Sequence, residues 1–256
     1  MSFIAFLRDG PVATITLNRP DRRNAINTPM AEEIEAALDE IESDESIRIG
    51  ILRANTIGDK PVFCSGYDLS SGAGPDHGGF TERGGFAGLT HRDRTKPLIA
   101  SVDGFAVAGG FEIVLSCDLI VASPRSSFGL AEVKWNLVAA AGGIFRLTRI
   151  IGRPMAMDVL LTGSPLPAER AYQLGLVSRL GDDVDGLAKE LAATIAGNAP
   201  LAVRLTRGGV ATGEYLDDAA AFAYSDSLAA AVTTSQDAAE GVQAFLEKRQ
   251  PVWTGR

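Results

Sequence analysis

The chain has 256 residues and a formal net charge of −8, with 46% hydrophobic and 22% charged residues. This composition is typical of a soluble globular protein with a full hydrophobic core, and its acidic balance argues against nucleic acid as a partner. The two cysteines are too few for a disulfide framework or a metal-binding cysteine cluster. No apolar stretch of about 18 residues lacks a charge or a glycine, and the N-terminus has no signal-peptide pattern, so we expect no membrane span and a cytoplasmic location.

The N-terminal part of the chain predicts two strands, a helix and a further strand. Residues 3–8 and 12–18 are separated by Asp-Gly-Pro, and the second segment alternates apolar and polar residues, which indicates a β-hairpin. Thr28 and Pro29 have the pattern of a helix N-cap and first helical residue. The apolar run at residues 47–54 predicts a strand. The expected buried stripe of the helix consists of Ala31, Ile34, Leu38 and Ile41.

A glycine-rich segment without clear periodicity follows this first unit. An apolar run begins at Pro61 and stops at Ser65-Gly66, and residues 70–88 then contain glycine at short intervals. Such a composition predicts a long mobile loop. It is compatible with a lid over a site and equally with an insertion that has no role.

The rest of the chain predicts short strands and helices first, and helices alone at the end. We expect strands or extended segments at residues 96–102, 119–122, 127–130 and 176–180. We expect helices or helical turns at residues 110–116, 131–137, 144–151, 154–163, 167–175, 184–197, 201–210, 216–231 and 235–249. This order favours an α/β core followed by a helical appendage.

The segment SVDGFAVAGGFEIVLSCD, residues 101–118, contains a charge where burial is expected. Glu112 follows Gly109-Gly110 in the first turn of the predicted helix, within an apolar run. An ionised carboxylate there is unfavourable unless it is paired, and a glycine-led helix start presents free backbone N–H groups. Two interpretations remain open on this segment alone. Glu112 is part of a catalytic site, or it merely offsets the helix dipole.

Several known catalytic and binding motifs are absent from the sequence or incomplete. The glycine spacing from Gly104 to Gly109 is that of a phosphate loop, but Gly110-Phe111 stands where Lys-Ser/Thr is required. No G-x-S-x-G motif is present, and neither His77 nor His91 has a metal-ligand partner at suitable spacing. An enzymatic activity would therefore depend on carboxylates and backbone donors, and we expect no metal.

Six segments in the right order resemble the crotonase superfamily, the enoyl-CoA hydratase/isomerase family, over nearly the whole chain. They are VATITLNRPDRRNAIN, FCSGYDL, SVDGFAVAGGFEIVLSCD, FGLAEVKWNLVAAAGG, LLTGSPLPAERAYQLGLVSRL and FLEKRQPVWTGR. The resemblance implies an α/β fold made of a spiral of β-β-α units. It also implies a core with the acyl-CoA site at residues 1–197, a helical trimerisation region at residues 198–256, and a homotrimer or a hexamer.

The resemblance further implies an acyl-CoA enzyme with no cofactor other than the coenzyme A of its substrate. The backbone N–H groups of Tyr67 and Gly109 match the family's donors to the thioester carbonyl. Glu132 matches the proton donor to C2, and Glu112 matches the group that orients and activates water. Two glutamates favour a 2-enoyl-CoA hydratase, a lyase, over a family isomerase or decarboxylase. Another crotonase-type reaction on an acyl-CoA, by an isomerase, a specialised dehydratase, a hydrolase or a decarboxylase, stays the alternative. A non-catalytic acyl-CoA-binding scaffold is the remaining alternative.

Matched positions also imply contacts with coenzyme A, although each cation alone could be an ordinary surface charge. The matched residues are Arg22, Arg23, Ala25, Ser65, Gly66, Asp68, Leu69, Phe245 and Lys248, the last two often serving a neighbouring subunit. The chain departs from the family at Tyr67, where hydratases have a small residue, and at Ala108, where they have glycine. Trp135 is expected to pack or to form an interface.

Overall fold

The computed structural model describes residues 2–71 and 78–256. Its strands are β1 (Ile4–Asp9), β2 (Val12–Leu17), β3 (Ile49–Ala54), β4 (Val62–Cys64), β5 (Phe80–Thr81), β6 (Gly85–Phe86), β7 (Leu98–Val102), β8 (Phe105–Val107), β9 (Leu119–Ala122), β10 (Ser127–Gly129), β11 (Leu166–Pro167) and β12 (Arg179–Leu180). Its α-helices are α1 (Thr28–Ser43), α2 (Gly109–Leu115), α3 (Gly143–Ile151), α4 (Arg153–Thr162), α5 (Ala168–Gln173), α6 (Val184–Ala196), α7 (Pro200–Gly213), α8 (Asp218–Thr233) and α9 (Gln236–Glu247). Short 3-10 helices occupy Pro20–Arg22, Leu69–Ser71 and Glu132–Trp135.

Ten of the twelve strands in the described part of the chain form two sheets, and β5 and β6 form a separate two-stranded sheet. The larger sheet runs β1-β2-β3-β7-β9-β12 and is parallel except for the β1–β2 hairpin. The smaller sheet runs β11-β10-β8-β4, with β4, β8 and β10 parallel. The chain thus visits one strand of each sheet before a helical segment, as in β7-β8-α2 and β9-β10 followed by the third 3-10 helix. This is the repeated β-β-α order that the resemblance implied.

Both faces of the larger sheet are covered, which explains its continuous apolar strands. Ile49 and Ile51 of β3 and Ile99 of β7 pack against Ala188 and Ala192 of α6. The opposite face joins the main core, to which α1 and α2 contribute their buried residues. The predicted stripe of α1 is buried throughout.

The start of α1 differs from the prediction by one residue. Asn27, and not Thr28, is the N-cap, because its side-chain oxygen accepts a hydrogen bond from the backbone N–H of Met30 at 3.1 Å. Thr28 is the first helical residue and Pro29 follows it. Asn and Thr are both common N-caps, so the sequence pattern did not separate them.

The predicted loop at residues 70–88 is wrong for its second half. Residues 72–77 lie outside the described part of the chain, so the prediction of a lid there stays a prediction. Residues 78–88 contain the β5–β6 hairpin, in which Phe86 is buried. Thr81 Oγ1 donates a hydrogen bond to Glu35 Oε1 of α1 at 2.8 Å. The hairpin is held by tertiary contacts with α1, which local composition does not show.

The C-terminal helices expose much of their apolar surface. Helix α8 has no buried residue, and Phe222, Val242 and Phe245 are large exposed hydrophobic residues of α8 and α9. The predicted division at residue 197 falls at the C-cap of α6. Trimerisation through residues 198–256 stays a prediction. Within residues 2–71 and 78–256, no helix combines the length and the apolar character required to cross a membrane.

Candidate active site

The start of α2 is fixed by close backbone packing. A Cβ atom on Gly110 would lie 2.2 Å from the carbonyl oxygen of Cys64, and one on Gly109 would lie 2.5 Å from Phe86 Cε1. Ala108, the N-cap residue, has φ 50° and ψ −132°, a conformation that glycine adopts much more readily than alanine. The helix start therefore lies tightly between β4 and Phe86, at the cost of backbone strain at Ala108.

The backbone N–H groups of Tyr67 and Gly109 are the predicted hydrogen-bond donors to the thioester oxygen (the oxyanion donors), and their segments lie close together at Gly66. A Cβ atom on Gly66 would lie 2.9 Å from the backbone nitrogen of Gly109. The carbonyl of Gly66 and the N–H of Asp68 both bond to Ile26, so the intervening Tyr67 N–H points to the opposite side of this extended segment. Gly109 begins α2, and its N–H has no acceptor within the helix. The Tyr67 side chain is half-buried and packs against the main core.

Glu112 is a buried carboxylate with a specific backbone donor. It is 4% exposed, and its Oε1 accepts a hydrogen bond from the backbone N–H of Gly143 at 2.9 Å. The pKa of Glu112 is raised to about 7, mainly because the side chain is buried. The Gly143 N–H lowers this pKa, the negative charge of Glu132 raises it, and the Ala141 N–H and the positive charge of Arg146 lower it. A general base with a pKa near neutrality suits proton transfer at physiological pH.

Strand pairing places Glu132 in the same region. Gly129 of β10 pairs with Val107 of β8, and the N–H of Ala108 bonds to the carbonyl of Gly129 at 2.8 Å. The segments that follow these strands, which hold Glu112 and Glu132, therefore leave the smaller sheet side by side. Burial raises the pKa of Glu132, and its Oε2 has no hydrogen-bond partner in the part of the chain that the structure describes.

Sequence reasoning missed two residues that act on Glu112. Gly143 is the first residue of α3, and Arg146, one turn later, donates hydrogen bonds to the carbonyls of Thr90 at 2.6 Å and Ala141 at 3.1 Å. The signal for Gly143 was the Gly-Gly pair at a helix start, the same pattern that indicated free N–H groups at the start of α2. No local pattern shows that this helix start faces Glu112.

The segments predicted to contact coenzyme A lie together. The N–H of Ser65 donates a hydrogen bond to the carbonyl of Arg23 at 3.0 Å. This bond holds the segment that contains Arg23 and Ala25 beside the segment that contains Ser65 and Gly66. Asp68 forms an ion pair with Arg19 at 3.0 Å, with both side chains largely buried. Asp68 is thus engaged in holding the two segments together.

A cavity of about 530 Å³ opens beside these segments. Phe3, Asn18, Arg19, Asp21 and Arg22 are among its lining residues. Arg22 is exposed, so its guanidinium group is accessible to an anionic ligand. A cation at the entrance of such a cavity can bind a phosphate group.

The remaining residues that were predicted to contact coenzyme A lie on the surface of this chain. Leu69 is exposed at the start of a 3-10 helix, and Phe245, on α9, is 82% exposed. Lys248 ends α9 in a left-handed conformation with φ 55°. Trp135 is 78% exposed, so packing within this chain is the wrong interpretation and the interface alternative stays a prediction.

Comparison with known proteins agrees with this architecture. The family model described as enoyl-CoA hydratase/isomerase matches residues 8–256. Enoyl-CoA hydratase EchA19 of Mycobacterium tuberculosis is 37% identical over 97% of this chain and 95% of its own length. Carnitinyl-CoA dehydratase of Citrobacter koseri is 36% identical over 98% of both chains.

A solved structure shows the same fold. The crystal structure of an enoyl-CoA hydratase from Mycobacterium tuberculosis superposes with a TM-score of 0.93 at 39% identity, covering 100% of both chains. The predicted crotonase-like α/β fold with C-terminal helices is confirmed. The chain therefore belongs to the enoyl-CoA hydratase/isomerase family, within the crotonase superfamily.

Proposed function

We propose that the protein hydrates 2-enoyl-CoA thioesters to 3-hydroxyacyl-CoA. The observation that carries this proposal is the presence of two carboxyl groups with raised pKa values beside the start of α2, the buried Glu112 and the half-buried Glu132. Burying two acids is unfavourable for folding, and a non-catalytic scaffold has no use for them. Catalytic sites, in contrast, require acids with raised pKa values.

The backbone donors stabilise the charge that develops on the substrate. Addition of water at C3 moves electrons from the C2–C3 double bond onto the thioester oxygen. The N–H groups of Tyr67 and Gly109 donate hydrogen bonds to that oxygen as it becomes an enolate. One such donor is worth about 3 kcal/mol of transition-state stabilisation.

The two glutamates divide the proton transfers. Glu112, ionised and held by the Gly143 N–H, accepts a proton from the attacking water while the water oxygen bonds to C3. Glu132, protonated, donates its proton to C2, and the enolate returns to the thioester carbonyl. The unpartnered Oε2 of Glu132 favours the protonated form, because a buried carboxylate oxygen without a donor is costly. Proton exchange with solvent restores the starting state.

The substrate is anchored by its coenzyme A part. The cavity beside Arg22 accommodates phosphate groups of coenzyme A, while the segment with Ser65 and Gly66 leads the thioester to the donors. Phe245 and Lys248 serve the site of a neighbouring subunit in a homotrimer or a dimer of trimers. No cofactor beyond coenzyme A is required. The expected location is the cytoplasm.

Dehydration of a 3-hydroxyacyl-CoA is the second candidate. The same two glutamates perform it as the reverse of hydration, and a relative covering nearly the whole chain is named carnitinyl-CoA dehydratase. The bulky Tyr67 at a position that is small in hydratases also favours an unusual acyl group.

Product identification separates the candidate reactions. The purified protein is incubated with a panel of enoyl-CoA and 3-hydroxyacyl-CoA thioesters, and the products are analysed by mass spectrometry. Hydration adds one water, dehydration removes one, isomerisation leaves the mass unchanged, and hydrolysis or decarboxylation releases a fragment. A folded, CoA-binding protein that adds no water to any enoyl-CoA would contradict the hydratase proposal.

A further inference from the structure

A second cavity, of about 320 Å³, lies at the end of α2 remote from the oxyanion donors. Its lining includes Leu115, Ser116 and Cys117 at that end, whereas Gly109 begins the helix. The seven residues of α2 separate the two ends by about 10 Å at 1.5 Å per residue. The cavity is therefore remote from the oxyanion donors, although Arg146 in its lining also acts on the charge of Glu112.

Arginine dominates this cavity. Five guanidinium groups line it, and they come from the segment before β7, from α3 and from α7. They belong to Arg92, Arg94, Arg146, Arg149 and Arg207. The lining carboxylates are those of Asp93, Asp118 and Glu214. The cavity therefore has an excess of positive charge, although the net charge of the whole protein is −8.

The carboxylates do not neutralise the arginines one for one. Asp118 is shared, since Arg94 bonds to its Oδ2 at 2.9 Å and Arg207 to its Oδ1 at 2.8 Å. Arg146 donates to backbone carbonyls, and Arg149 donates to the hydroxyl of Tyr215 and lies over its ring. Burial lowers the pKa of Arg146 most. Glu112 and Tyr215 raise this pKa, and repulsion from Arg94 and Arg149 lowers it.

Arg92 has unused hydrogen-bond donors. Its side chain is only 7% exposed and forms an ion pair with Asp39 through Nη2. Its Nε and Nη1 atoms are buried and have no hydrogen-bond partner within residues 2–71 and 78–256. Asp39 is thus the one ion-pair partner of Arg92 among the described residues, and Arg92 adds its charge to the lining of the cavity.

We propose that this cavity binds a small, multiply charged oxyanion of the phosphate class. Guanidinium groups suit this ligand because their planar forks donate paired hydrogen bonds to phosphate oxygens. The volume is at the small end of the range for ligand sites, which fits inorganic phosphate, pyrophosphate or a small phosphate ester. The ligand neutralises the excess positive charge that the lining arginines carry. The proposal does not depend on which reaction the active site performs.

Isothermal titration calorimetry at constant ionic strength tests the site. Inorganic phosphate, pyrophosphate and glycerol phosphate are titrated in turn into the full-length protein, alone and in the presence of a saturating CoA thioester. We expect at least one to bind with one site per chain at sub-millimolar affinity, unaffected by the thioester. The tightest of the three identifies whether the inorganic or the esterified phosphate is preferred.

Two variants and a control locate the binding. Arg149 is exposed, so we expect R149Q to fold normally, and R92Q removes a second positive charge from the lining; each should weaken binding tenfold or more. The control K189Q makes the same charge change at an exposed position of α6 and should have no effect. Circular dichroism confirms that each variant is folded. Absence of binding to the wild-type protein, displacement by the CoA thioester, or unchanged affinity in folded R149Q would overturn the proposal.

Discussion

Glu112 Oε1 accepts a hydrogen bond from the backbone N–H of Gly143 at 2.9 Å, so the first residue of one helix holds the carboxylate carried by another. The start of a helix favours a negative charge, and this contact keeps Glu112 partly ionised at neutral pH despite its burial. The proposed base is therefore oriented by backbone N–H groups, those of Gly143 and Ala141.

Gly143→Ala should disturb this orientation. The new Cβ would lie 3.1 Å from Glu112 Oε1 and 2.8 Å from Ala139 Cβ, so the carboxylate or the start of α3 must shift. A displacement of about 1 Å in a catalytic group costs about 10²-fold in rate. Steady-state kinetics should show this loss mainly in kcat. The control Gly213→Ala, where a Cβ meets nothing within 4 Å, should retain full activity.

Glu112→Gln should stabilise the protein at neutral and alkaline pH. The folded pKa, about 7, lies above the ordinary value of 4.5, so both states are protonated at low pH and the folded state loses stability as pH rises towards and through 7. Glutamine keeps the acceptor for Gly143 without a charge. The variant should gain about 3 kcal/mol at pH 8 and nothing near pH 4. Urea unfolding at both pH values measures this difference; an equal gain at both would exclude ionisation as its cause.

Ala108→Gly should relieve backbone strain. A conformation at φ 50° and ψ −132° is unfavourable for alanine, and glycine adopts it readily, although the unfolded chain then gains flexibility. We expect a net gain of about 1 kcal/mol in unfolding free energy with activity preserved. Ala223→Gly, at an exposed position of α8, should instead lose about 1 kcal/mol. A loss of similar size in both variants would mean that Ala108 is not strained.

Arg22→Gln should weaken substrate binding without slowing the chemistry. Arg22 lines the cavity beside the proposed thioester channel and is distant in sequence from both glutamates. Loss of one exposed phosphate contact, worth about 1 kcal/mol, should raise KM about fivefold at unchanged kcat. The effect should shrink at high salt. Arg153→Gln, which removes an exposed arginine from α4, is the matched control; an equal rise in its KM would assign the effect to net charge.

Local sequence patterns predicted the elements that depend on local physics. The alternation in β2 and the apolar stripe of α1 report directly on which side is buried, and both elements form as expected. Residues 80–86 form a hairpin against α1 that no periodicity indicates. Strand β8, Phe105–Val107, is short enough that its three residues carry no pattern of their own.

The site was predictable only in part, for a related reason. The Gly109-Gly110-x-Glu112 pattern marked a buried acid at a helix start, but its partner Glu132 came from the family resemblance. Their proximity depends on the pairing of β8 with β10, which is a tertiary relationship. The Gly143 donor reaches Glu112 across 31 residues, and neither segment alone indicates the contact.

The most direct test of the central proposal is the loss of the conjugated enoyl-thioester absorbance when the protein acts on crotonyl-CoA and on a longer 2-enoyl-CoA. The wild-type protein should consume at least one of them, and Glu112→Gln and Glu132→Gln should each lower kcat by about 10²-fold or more. Glu190→Gln, at an exposed position of α6, should match the wild type. Absorbance that persists with every chain length, or hydration that continues unchanged in both glutamate variants, would contradict the proposed two-glutamate hydratase.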